Sequence, residues 1–78
     1  MKKATSETRI RLHIDLCLGA GDHPENITMT AAAWDAISSA YVETAIRLNQ
    51  LDMHAIADRH REISNEIYKA LEFRGYYD

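Results

Sequence analysis

One cysteine, one proline and three glycines leave this chain short of the usual devices for building an irregular fold. With Cys17 alone there is no intramolecular disulfide and no cysteine-rich zinc site. So little Pro and Gly argues for long regular segments rather than a loop-rich sandwich. No run approaches the roughly 18 consecutive apolar residues of a membrane span. The start, Met1-Lys2-Lys3 and then polar Ala4 to Glu7, does not resemble a secretory signal. These absences set a cytoplasmic address as the expectation, with no membrane partner.

An excess of positive charge is missing as well. Nine Lys and Arg stand against 12 Asp and Glu, a net charge of −3. Nucleic-acid binders usually carry a basic surplus to neutralise phosphates, so that class starts at a disadvantage. The distribution is uneven, however. Lys2, Lys3, Arg9 and Arg11 face only Glu7 within residues 1–11, which makes a basic arm on an acidic body. Such an arm either touches an acidic partner or keeps a frayed terminus solvated, and the second is commoner.

What remains is ordinary globular material: 78 residues, 46% apolar and 27% charged. That is enough for one small core and one domain, 1–78, and too little for a cleft between domains.

The clearest segment begins at Thr30, a good N-cap, and runs without Gly or Pro to about Asn49. Trp34, Ile37, Tyr41, Ala45 and Leu48 recur at helical spacing on one face. Val42 and Ile46 widen that stripe on one flank. Asp52 then offers a cap for a second helix, in which Met53, Ile56, Ile63, Ile67, Ala70 and Leu71 share a face completed by His60. Gly75 is placed to end it in a left-handed conformation, with Arg74 in the last turn. Helices near 31–49 and 52–74 with a short connection predict an antiparallel hairpin.

The N-terminal third reads two ways. Ile10, Leu12, Ile14, Leu16 and Leu18 alternate with Arg9, Arg11, His13, Asp15 and Cys17, which is a strand template over 9–18. As a helix over about 6–18, Ile10, Ile14, Cys17 and Leu18 share one face while Leu12 and Leu16 fall on the other. Thr5 or Ser6 would cap it and Gly19 would end it. The only strand partner in reach is Ile27–Thr30, too short for ten residues, and isolated hairpins are marginal. The balance favours an all-α, three-helix arrangement with a long C-terminal helical hairpin, and leaves an α+β fold as the alternative.

Chemistry is sparse. His54 and His60 are six apart and cannot chelate one ion, and His54 with Asp58 supplies only two ligands where a site needs three or four. His60 on the apolar stripe reads as a boundary histidine bonded to a carbonyl or water, or else as a pH-sensitive point. Cys17 beside Leu16 and Leu18 reads as a small buried hydrophobe. His13, four residues before it, would be its activating base, but no oxyanion-hole pattern accompanies the pair. No catalytic residue, metal or cofactor is expected.

Surfaces carry the functional expectation instead. Asp58, Glu62 and Glu66 follow at one-turn steps, either an ordinary solvated face or an acidic ridge for a basic partner. Tyr76 and Tyr77, with Phe73, are aromatic anchors of the kind interfaces use, unless they fold back over the core. Leu12 and Leu16 on the back of a first helix, with Val42 and Ile46, are apolar surface that a homodimer would cover. The first functional reading is therefore a non-enzymatic protein that docks its helical surface on a macromolecular partner. The second is a small dimeric DNA-binding regulator. If 9–18 is a strand, Arg9, Arg11, His13 and Asp15 point one way. Two such strands paired across a dimer would resemble the ribbon-helix-helix architecture. The long loop at 19–29 and the charge of Asp15 count against it.

Overall fold

The structure, a computed structural model, describes residues 3–17 and 23–78. Its elements are β1 (Arg9–Ile14), β2 (Glu25–Thr30), α1 (Ala31–Gln50) and α2 (His54–Phe73). β1 and β2 form an antiparallel two-stranded sheet in which Ile10 sits opposite Met29 and Leu12 opposite Ile27. This overturns the all-α expectation. The stretch assigned to a first helix over 6–18 holds a strand, and the architecture is α+β.

The physical reason lies in what each form buries. A helix here would strand Leu12 and Leu16 on its outer side. In the structure Ile10 and Ile14 are buried, and Leu12 and Leu16 pack against the same core with Ile27 and Met29. That core is completed by Ala31 and Trp34 from α1 and by Ile63, Ile67 and Leu71 from α2. The hairpin is thus not isolated. One face rests on two helices, which removes the instability that argued against it. β2 is also longer than the four residues sequence suggested, because Asn26 and Glu25 extend it opposite His13 and Ile14.

The sheet feeds directly into α1. Thr30 ends β2 and caps the helix, its hydroxyl accepting from Ala33 N at 3.2 Å. The carbonyls of Thr8 and Ser6 take the N–H groups of Ala31 and Ala32 at 2.8 and 3.1 Å. The first turn therefore has its free donors satisfied by the segment preceding β1. That segment is also tied to the other helix, since Ala4 N donates to Arg74 O at 2.9 Å. Residues 4–8 are stitched into the fold rather than frayed.

Both helices end in the same way. After α1, Asp52 N donates to Asn49 O and Met53 N to Leu48 O; after α2, Gly75 N donates to Glu72 O and Tyr76 N to Leu71 O. This is the Schellman pattern, which needs a left-handed residue after the cap. Gly75 supplies it at φ 76°, as its position in the sequence predicts, but at the first helix the residue is Asp52 at φ 59°. Asp52 therefore turns the chain and does not cap α2, whose N-cap, Met53, makes no side-chain hydrogen bond.

Candidate docking surface

Where α1 and α2 cross, two serines take the place of large side chains. Ser38 and Ser64 are buried, with their hydroxyls 2.8 Å apart, and each hydroxyl also reaches the other residue's backbone carbonyl, at 3.1 and 2.9 Å. Small side chains let the helices approach closely, and the paired hydroxyls satisfy each other away from water. On one side of this crossing lies an open groove of about 780 Å³. Asp35, Val42 and Glu43 line it from α1, Arg61 and Tyr68 from α2, and Tyr77 from the C-terminal tail.

The tail is held in this position. Tyr77 stacks on Tyr68 with ring centroids 4.9 Å apart and 23° between planes, and its hydroxyl donates to Asp35 Oδ1. Burial first, then the hydrogen bond and negative charge of Asp35, push the Tyr77 phenol well above its ordinary value. It stays a neutral donor. Val42, Ile46, Tyr68 and Tyr77 all remain exposed, at 38–47%. Leu51, Met53 and Ile56, around the turn between the helices, are exposed as well.

A second, smaller and more polar cleft of about 310 Å³ lies between β1 and α2, lined by His13, Ile14, Asp15, Pro24, Arg59 and Glu66. The two oxygens of Asp15 accept from Cys17 N at 2.8 Å and His23 N at 3.1 Å. Those backbone donors, His23 first, hold its carboxyl below the usual aspartate range. Arg59 reaches the Asp15 carbonyl at 3.4 Å and Glu62 at 3.5 Å.

No family model, curated protein or solved structure matches the chain.

The residues singled out in sequence separate in space. Leu12 and Leu16 pack on the core and do not form an exposed back for self-association, whereas Val42 and Ile46 do remain at the surface. Tyr76 packs against the core, while Tyr77 goes to the groove. The acidic row divides too: Asp58 is exposed, Glu62 lines the groove and meets Arg59, and Glu66 lines the cleft beside His13. Cys17 is exposed and not a buried hydrophobe. His54 bonds Asn49 at 2.7 Å and approaches Asp52 at 3.6 Å in place of Asp58. His60 is buried, donates Nδ1–H to the Ile56 carbonyl at 2.8 Å and packs on Tyr41. Among the described residues no three His, Cys, Asp or Glu side chains gather with metal spacing.

Sequence reasoning missed Asp35, Ser38, Arg61 and Tyr68. Ser38 carried a signal, a small polar residue one turn after Trp34 on the buried stripe. Tyr68 carried a weaker one, an aromatic outside the apolar face of α2. Asp35 meets Tyr77 only through the tertiary fold.

Proposed function

We propose that this protein is a non-enzymatic docking module, and that the groove between α1 and α2 is where it holds a protein partner. The observation that carries the reading is the set of exposed apolar side chains, Val42, Tyr68 and Tyr77, inside a concave surface, with Ile46 one turn beyond Val42. Apolar side chains gathered in a concavity and rimmed by polar groups mark interaction sites more than solvated faces. Asp35, Glu43 and Glu62 outnumber Arg61 at the rim. The fitting partner is a segment that brings apolar side chains flanked by Lys or Arg.

The test compares capture from native cell extract by the wild type with capture by Val42→Glu and Glu62→Lys. Both positions are exposed, so circular dichroism should report melting curves close to wild type. A defined partner held by the wild type, lost with Val42→Glu and weakened by Glu62→Lys and by salt, supports the groove. Capture indifferent to both variants removes it. The competing occupant is a second copy of the chain. Sedimentation at about 100 µM that gave a dimer broken by Val42→Glu would assign the groove to self-association.

A further inference from the structure

The face of the β-hairpin turned away from the helices has a composition unlike the rest of the chain. Along β1 the side chains opposite the core are Arg9, Arg11 and His13, and across from them on β2 stand Thr30, Thr28 and Asn26. All are exposed except the half-buried Thr30. Alternate residues of a strand are about 7 Å apart, so the three basic side chains form an evenly spaced row. No carboxylate lies between them, in a protein whose net charge is −3. Among the described residues neither arginine is in an ion pair. Acids stand at the ends of the row: Glu7 before the strand, Asp15 after it, Glu25 at the start of β2, and Glu66, which shares the small cleft with His13. Both oxygens of Asp15 are already engaged by backbone N–H groups.

We infer that this face is a docking surface for duplex DNA, with the two-stranded ribbon seated in the major groove. Charge complementarity selects a polyanion: the row presents the two permanent positive charges of Arg9 and Arg11. Shape selects the duplex and the groove. A two-stranded ribbon fits the B-form major groove, about 12 Å wide, whereas the deep, narrow major groove of A-form RNA does not admit it. The neutral side chains fit the same occupant. Asn26 and Thr28 are of the types that hydrogen-bond base edges, while arginines bind phosphates or the guanine edge. Asn26 is oriented by its contact with His13, Oδ1 to Nδ1 at 3.1 Å. The ribbon is made within one chain and needs no second copy to form. This surface is separate from the groove between the helices, and neither reading depends on the other.

The experiment is a fluorescence-anisotropy titration of a labelled DNA duplex of about 20 base pairs with the full chain. Binding is expected in the range of about 10⁻⁶ to 10⁻⁴ M at physiological salt, about 150 mM. Release of two counterions predicts a loss of affinity of about tenfold between ~50 and ~200 mM salt. The double variant Arg9→Glu/Arg11→Glu should abolish binding while its circular dichroism spectrum stays that of the wild type. Thr28→Ala should fold as the wild type and bind more weakly without changing the salt slope. Val42→Glu should bind DNA like the wild type. Absence of binding at ~100 µM protein overturns the inference, as does binding that survives the double reversal. Equal affinity for an RNA duplex of the same sequence overturns the major-groove geometry.

Discussion

Trp34, in the first turn of α1, donates its indole Nε1–H to the main-chain carbonyl of Ile10 in β1 at 2.9 Å. The ring is fully buried, so one side chain both fills the centre of the core and pins the sheet to the helix. Trp34→Ala should lose about 3–5 kcal/mol, a large share of the stability of a domain this small. Trp34→Phe keeps most of the apolar contact and drops only the donor, and should cost less. Urea unfolding of both variants checks the order. Equal losses would show that the hydrogen bond to Ile10, and not packing, holds the hairpin.

Ser38 and Ser64 make a pair suited to a double-mutant cycle. Each single change to Ala leaves a buried hydroxyl or carbonyl short of a partner and should cost about 1–3 kcal/mol. The double change removes both hydroxyls together and should cost clearly less than the sum. Additive losses would mean that the hydroxyls act independently, through the carbonyls alone.

Asp52 occupies a left-handed position where glycine is the usual residue, and Gly75 occupies the equivalent one after α2. Asp52→Gly should therefore stabilise the fold by about 1 kcal/mol. Gly75→Ala should do the reverse by about 1 kcal/mol, since its Cβ would also come within 3.2 Å of Lys3 Cγ. Thermal unfolding reads both. A destabilised Asp52→Gly would show that the Asp52 side chain contributes more than its backbone strain costs, for instance through His54.

Alkaline pH should loosen the tail. The Tyr77 phenol is raised by burial and by Asp35, and that of Tyr41 by burial above all. A folded-state pKa above the unfolded value means that stability is fully present below about pH 10. It is lost as pH rises through the folded value, because the unfolded chain ionises first. Tyr77→Phe should keep the stack on Tyr68 and remove its share of this loss. The check is denaturation midpoints of wild type and variant at about pH 8 and pH 11. An alkaline loss identical in both would exclude Tyr77 as its source.

Both helices, and much of how they end, follow from local patterns in the chain. Thr30 caps α1 and Gly75 closes α2, because a hydroxyl N-cap and a left-handed glycine act through bonds within a few residues. The buried stripe from Trp34 to Ala45 and that from His60 to Leu71 were legible for the same reason: helical periodicity is local. The exposed flank at Val42 and Ile46 was legible too. The state of Arg9–Ile14, by contrast, depended on long-range contacts. Its alternation was plain, but a strand is completed by hydrogen bonds to a distant segment and by a surface on which to rest. Glu25–Thr30 and the two helices supply these from elsewhere in the chain. The same holds for the groove. Asp35 and Tyr77 are 42 residues apart, and nothing in either stretch announces the other. Leu12 and Leu16 changed from candidate interface to core on this one decision, since the hairpin turns both toward the helices.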